Sequence, residues 1–228
     1  MRWADLDQLN HVNNVVYVDY AMEARARLVD EGEIAPDLTI RHVRVDFLRP
    51  LLLSSKPVTV RTSVDGDVVT QEIRSHDGSA LFSTVVTQHG RPEPVDDSRG
   101  APLEMLVRRS DVGPDGVVTV TRLFELFQEM RIFSFASIIP HRQAGRFVVG
   151  RVELQLGEPL TWRTDPYPGQ SFISHVSRSS FTSTTRIGGG RHGTATATLV
   201  GFDRENQSSR RLDDDERAAL TAALLLDV

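Results

Sequence analysis

The chain has 228 residues, a formal net charge of −5, 39% hydrophobic and 25% charged residues, and no cysteine. Its length fits one large domain or two small ones, and its composition is that of an ordinary globular protein. Without cysteine there is neither a disulfide framework nor a thiolate metal site, and the negative balance argues against a general nucleic-acid binder.

Nothing in the first thirty residues looks like a signal peptide, and no apolar run is long enough to cross a bilayer, which points to the cytoplasm. Lys56 is the sole lysine among the basic residues. Arginine suits bidentate phosphate contacts, but this skew is better read as genome composition.

In chain order, Arg2-Trp3 reads as the end of a strand, followed by a polar turn with Asp5, Asp7 and Asn10. His11-Val12-Asn13-Asn14 leads into a helix that Asn13 or Asn14 can cap. Val15, Val18, Met22, Ala26 and Val29 form its expected apolar stripe, and Glu31-Gly32 stops it. Pro36-Asp37 opens a loop. Residues 39–48 then alternate, with Val43, Val45 and Phe47 on one face and His42, Arg44 and Asp46 on the other, as a half-buried strand does. Further strands are expected over 58–62, 68–74 and 80–88, with turns at Asp65-Gly66-Asp67 and His76-Asp77-Gly78.

Residues 91–102 hold three prolines, a glycine and several charges without apolar period, and read as an exposed linker. A second helix is expected over 118–139, with Leu123, Phe127 and Met130 in a stripe widened by Leu126 and Phe133. Glu129-Met130-Arg131 echoes Glu23-Ala24-Arg25 at a shift of 106 (129 against 23). Val152, Leu154, Leu156 and Pro159-Leu160 echo Val43, Val45, Phe47 and Pro50-Leu51 at a shift of 109 (159 against 50). Residues 171–186 and 193–203 supply the later strands around Gly188-Gly189-Gly190. Asp213 to Val228 is a short helix with Leu220, Leu224 and Leu225 on one side, to pack on a sheet or meet a partner.

The order of the echoes implies two modules in tandem, 1–90 and 111–228, around a linker at 91–110. Each is an α+β unit of helix and antiparallel strands.

A helix start offers unpaired N–H groups and a partial positive charge, and Asp7 lies on the turn that delivers the chain to it. Such donors can polarise a carbonyl oxygen beside a carboxylate that attacks its carbon or activates water; acyl transfer is the simplest reaction needing both.

The pattern R-W-x-D-x-D-x-x-x-H-V-N-N-x-x-Y over Arg2 to Tyr17, followed by Glu23-Ala24-Arg25, resembles the hotdog-fold acyl-CoA thioesterases of the 4-hydroxybenzoyl-CoA thioesterase type. The resemblance implies a fold in which a curved antiparallel sheet wraps a long helix. It implies Asp7 as the catalytic carboxylate and the Asn14 backbone N–H as donor to the thioester oxygen. The expected reaction is hydrolysis of an acyl-CoA, with no metal or redox cofactor beyond the CoA of the substrate. Hotdog domains pair, so the two modules are expected to form an intrachain pseudo-dimer, and such chains can further oligomerise. Members of the family carry several residues of strand before the Arg-Trp pair, where this chain has Met1 alone. That implies a shortened first strand or a start further upstream.

Each candidate has a structural alternative. Asp7 and Asp5 are common residues of a capped turn, and of the two Asp5 is read as structural. His11 either polarises substrate and orients Asp7 or is an imidazole bonded to backbone. Asn13 is read as a cap beside the substrate, and Tyr17 lines an acyl pocket or packs in the core. Glu23 and Glu129 are reserve carboxylates, because related hotdog subfamilies place theirs on the helix; each can instead be solvated or pair with Arg27 or Arg131.

In paired hotdog folds the cleft lies between the helix start of one module and a strand of the other. The segment from Val176 to Phe181 resembles that strand, which assigns Arg178 to phosphate and Ser179 and Ser180 to the pantetheine. An ordinary exposed strand is the alternative. In the second module the 106 shift puts Gly113 where Asp7 stands and Val117 where His11 stands, with Asp111 and Asp115 out of register. One active site per chain is therefore expected. Competing functions are a hotdog hydratase or dehydratase on acyl thioesters, and a non-catalytic module that binds them.

Overall fold

The computed structural model describes residues 1–7, 10–35, 39–91, 93, 100–138 and 146–225. The chain divides into two units, Met1–Pro92 and Glu93–Val228.

In the front unit Arg2-Trp3 does not end a strand: Trp3–Asp5 is a single 3-10 turn. The Asp5 carboxylate accepts the Arg2 N–H at 2.6 Å, so a side chain closes the turn locally. Helix α1 (Asn14–Asp30) begins where Asn13 caps the Val15 N–H at 3.1 Å. It ends where the Gly32 N–H, at a φ of 79° that favours glycine, reaches the Val29 carbonyl.

Of the expected stripe only Val18 is fully buried, together with Tyr17 and Ala21, and Ala26 is exposed. Two polar anchors set that rotation. The Tyr17 hydroxyl accepts the Leu51 N–H at 3.1 Å, and the fully buried Gln71 donates to the Ala21 carbonyl at 2.7 Å. Both reach the helix from segments distant in sequence.

The four strands are β1 (Ile40–Phe47), β2 (Thr59–Asp65), β3 (Val68–Arg74) and β4 (Leu81–His89), antiparallel in the order β2-β3-β4-β1. Alternation places Val43, Val45, Val69, Ile73 and Val85 inward, each at most 1% exposed. The loop expected at Pro36-Asp37 lies outside the described residues.

In the second unit β5 (Ala101–Met105) pairs with β7 (Tyr167–Val176), inside the stretch expected as linker. Within this unit β5 takes the edge position, where Pro102 costs no ladder bond that a central strand would need. Residues 94–99 of that stretch lie outside the described residues. Helix α2 (Val120–Ile138) buries Leu123, Phe124, Leu126, Phe127 and Met130. Phe133 is 70% exposed instead of widening the stripe. At that end of the helix Phe135 packs inward, stacked on Phe181 at 5.1 Å with Phe147 edge-on at 5.6 Å.

Strands β6 (Phe147–Leu156), β8 (Ser180–Ile187) and β9 (Gly193–Asp203) complete an antiparallel sheet ordered β6-β9-β8-β7-β5, and the short β10 (Ser208–Ser209) pairs with β9. The core of this order, β7-β8-β9-β6, repeats β2-β3-β4-β1 strand for strand. Each unit is thus a helix laid on an antiparallel sheet, and the chain is two tandem hotdog modules.

Helix α3 (Asp214–Leu225) packs on β7 and buries Leu220 completely. Its start is a capping box: Glu216 N–H donates to Asp213 Oδ1 at 2.8 Å, and Asp213 N–H to Glu216 Oε2 at 3.0 Å. The Glu216 carboxylate, 5% exposed, also takes Arg210 at 2.7 Å and Arg146 at 2.9 Å. Burial pushes its pKa up, but the Arg210 hydrogen bonds, the Asp213 segment and both guanidinium charges outweigh it and hold the pKa below the ordinary range.

A pKa lowered in the folded state contributes stability above the unfolded value, and that contribution is lost as pH falls through the folded value. Glu216→Gln removes the charge that Arg210 and Arg146 share, although Arg146 keeps Asp213, and is expected to cost about 2–4 kcal/mol near neutral pH in urea unfolding. The deficit should shrink as the pH falls through the lowered folded-state pKa, below the ordinary carboxylate range, where the wild-type side chain itself takes up a proton.

Candidate active site

The head of α1 is assembled by a short ladder of hydrogen bonds. Asp7 N–H donates to the His11 carbonyl at 2.8 Å, and His11 N–H returns to Asp7 Oδ1 at 3.0 Å. Asn10 N–H reaches the Asp7 carbonyl at 3.1 Å with Asn10 at φ 58°, a left-handed conformation that asparagine tolerates. Val12 N–H then reaches Leu51, and Asn13 N–H reaches Asp5, both at 2.8 Å. The Asp7 carboxylate is thereby half-buried on the turn that feeds the helix start.

Among the described residues no acceptor takes the N–H of Asn14, the first residue of the helix. A fixed carboxylate and an available helix-start amide are the two parts that addition to a carbonyl requires.

The other residues of the motif sort by place. Asn13 is the cap of α1. Tyr17 is 3% exposed, edge-on to Phe47 at 5.5 Å, with its phenol pushed up to about 12 by burial against the lowering effect of the Leu51 amide, and further by the charge of Asp7. That coupling sets the Tyr17 hydroxyl within electrostatic reach of Asp7. Asp5 anchors the preceding turn and accepts the Tyr20 hydroxyl at 3.5 Å, as its structural reading implied. His11 is half-buried, and its backbone bridges to Leu52.

The remaining candidates are carried by other parts of the chain. Glu23 sits nine residues into α1, about 13 Å along its axis. There it pairs with Arg27 at 3.3 Å on the exposed face. Glu129 is half-buried on α2, and it forms no ion pair with Arg131 among the described residues. Of the segment Val176 to Phe181, residues 177–179 form the hairpin turn between β7 and β8, while Val176 ends β7 and Ser180 and Phe181 begin β8. Ser177 closes the turn against Ser180, Oγ to Oγ at 2.8 Å and backbone N–H to the Ser180 carbonyl at 2.8 Å. Arg178 is exposed at its tip, with its carbonyl taken by Leu212 N–H at 3.0 Å, and the Ser179 carbonyl accepts Gly201 N–H. Asp7, His11, Asn13, Asn14 and Tyr17 therefore share the head of α1, Glu23 lies further along the same helix, and Glu129, Arg178, Ser179 and Ser180 are carried by the second unit.

The second module builds the same turn without its carboxylate. At a shift of 106, Gly113 N–H donates to Val117 at 2.8 Å, Gly116 N–H to Gly113 at 3.0 Å, and Thr119 N–H to Asp111 at 3.4 Å. Val118 N–H reaches Leu160 at 2.8 Å as Val12 reaches Leu51, and Gly116, at φ 82°, holds the conformation of Asn10. The one role that Asp7 plays in the ladder passes to Asp115, whose Oδ1 accepts the Val117 N–H at 3.1 Å.

Sequence reasoning missed Arg25, which donates to the 2%-exposed His89 at 3.3 Å. It also missed Gln71, whose inward position in the alternation of β3 was the available signal. Among the described residues no three His, Cys, Asp or Glu side chains gather as a metal site, and no helix is long and apolar enough to cross a membrane.

Residues 1–90 match the family model described as Thioesterase-like superfamily. No curated protein sequence matches the chain. Among solved structures, one described as an oleoyl thioesterase from Lactobacillus plantarum superposes with a TM-score of 0.68 at 10% identity, covering 90% of this chain and 94% of that one. The 12:0-ACP thioesterase from Umbellularia californica gives 0.65 at 10% identity over 88% and 91%. An acyl-ACP thioesterase from Bacteroides thetaiotaomicron gives 0.57 at 10% identity over 86% and 93%. Likeness at that identity concerns the fold, and it spans both modules. The chain is a tandem hotdog protein, and the match to the thioesterase-like superfamily model falls on its front module.

The ladder separates capping from chemistry. Asn13→Ala should lower stability by about 1 kcal/mol in thermal or urea unfolding, the usual cost of losing a helix cap. Asp7→Asn keeps an acceptor for the His11 N–H and should melt within about 0.5 kcal/mol of wild type.

Proposed function

We propose that the chain hydrolyses acyl thioesters at the head of α1, with Asp7 as base or nucleophile and the Asn14 N–H as oxyanion donor. The observation that carries this reading is the asymmetry between the modules. They form the same turn bond for bond, and only the front one places a carboxylate at its seventh position, where the second has Gly113. The turn therefore does not require its acid at that position, since Asp115 supplies the equivalent bond from two residues further along, and this favours a chemical reason for a carboxylate at residue 7. The match of residues 1–90 to the thioesterase-like superfamily supports the same assignment.

In the reaction the thioester oxygen gathers negative charge as its carbon becomes tetrahedral, and a preorganised amide at a helix start stabilises that charge. Asp7 either takes a proton from the attacking water or attacks directly to give an acyl-enzyme anhydride that water then opens. In both routes a C–O bond forms, the C–S bond breaks, and the thiol leaves with a proton. His11, beside Asp7, orients it, and Asn13 fixes the helix start. Acyl-CoA is the substrate class we favour, with CoA arriving as part of the substrate, no further cofactor, and a cytoplasmic setting. Acyl carrier protein thioesters, which the names of two fold relatives mention, are the natural comparison.

Thiol release from a panel of acyl-CoAs tests the reading. Asp7→Asn should reduce kcat by about a thousandfold or more while the variant melts like wild type. Unchanged hydrolysis by that variant would remove Asp7 from the mechanism. Water addition to crotonyl-CoA without thiol release would favour a hydratase, and tight binding without turnover a non-catalytic module.

A further inference from the structure

Strand β2 has β3 on one side and, among the described residues, no strand on the other. In the second module the strand of the same rank, β7, carries β5 antiparallel along that side. The position therefore accepts a neighbour, and the front module leaves it open. Proteins commonly blunt an open edge with proline, a bulge or an inward-pointing charge. Over Thr59–Asp65 β2 has none of these: its register with β3 is unbroken, and its helix-facing row is Val60, Thr62 and Val64. These stand beside the buried Ile73, Gln71 and Val69, yet Val64 is 51% exposed.

The alternation of backbone bonds decides what the edge offers. Successive residues of an antiparallel strand turn their N–H and C=O groups to opposite sides. The His89 N–H donates to the Asp67 carbonyl at 2.8 Å, which turns the odd residues of β3 toward β4 and the even ones toward β2. Those even residues pair with 59, 61, 63 and 65. The backbone groups of Val60, Thr62 and Val64 therefore point away from the sheet.

This edge is complementary to itself. Laid antiparallel on a second copy about a two-fold axis at Thr62, it sets Thr62 against Thr62 and Val60 against Val64. Every outward N–H and C=O of both strands then has a partner. A slip of the register sets Val64 against Val58 or Val60 against Gly66, both outside the strand. The side chains agree with the first arrangement. Exposed Val64 meets Val60 of the second copy on one face. On the other, Arg61 lies diagonal to Asp65 of the second copy, within reach of a long side chain, and no like charges stand directly opposite.

We propose that β2 is a self-association edge, which pairs antiparallel with β2 of a second copy of this chain about Thr62. The surface lies wholly within the front module and does not depend on the reaction assigned to Asp7.

Sedimentation equilibrium of the full chain from about 1 to 300 µM tests the proposal. A single strand pair is a small interface, so a dimer with a dissociation constant of about 1–100 µM is expected. Thr62→Pro deletes an outward N–H and no bond to β3, and should weaken association by about tenfold or more. Val64→Lys puts a charge on the exposed edge and should do the same; it carries the test if the proline variant does not fold. The chain has no cysteine, so Ser63→Cys gives one thiol per copy. In the dimer those thiols sit on a diagonal about 7–8 Å apart, and a bis-maleimide of that reach should link them. Ser55→Cys, far from the axis, should stay unlinked. The proposal is overturned if the chain is monomeric over the whole range, or if either folded variant associates like wild type. It is equally overturned if a Ser63→Cys dimer forms and stays unlinked.

Discussion

Two backbone hydrogen bonds, from Val12 to Leu51 and from Asn13 to Asp5, decide where α1 begins, and the front module's chemistry follows from that. They hold the residues before the helix in extended form, so the chain must turn sharply at Asn13, and the Asn14 amide is left without an acceptor among the described residues. The Asp7–His11 ladder is the other half of the same clamp. It folds the preceding turn back on itself, so the carboxylate is carried by backbone geometry rather than by a flexible loop. A carboxylate on a mobile loop would have to be ordered at each turnover, whereas this one is ordered by folding.

The second module shows what that clamp costs and what it can do without. Its turn keeps the backbone contacts, substitutes glycine for asparagine at the left-handed position, and recruits Asp115 for the one side-chain bond it needs. Divergence has therefore fallen on side chains that the turn can spare. The two helices have diverged as well. α1 is tied down by polar anchors, Tyr17 and Gln71, whereas α2 is held by a row of phenylalanines and leucines.

Much of this is legible in the residues. β3 can be read to its end residues because its alternation has one buried face, and burial makes the period strict. The tandem order is legible because equivalent turns need equivalent spacing, whatever side chains fill them. The buried face of α1 is not legible, since the groups that rotate it come from residues 51 and 71 and no local period records them. The turn within Val176 to Phe181 mimics a strand because serines on either side of an arginine resemble alternation, while their actual work is to bond each other across the bend.

The bond from Gln71 to the Ala21 carbonyl has a consequence for precision. Apolar side chains resist separation but allow a helix to slide along its own axis by small amounts, because packing given up at one end is recovered at the other. A directional bond from a central strand to the middle of the helix removes that freedom. It turns the sheet into a ruler for α1, and the amide at the helix's tip inherits the setting.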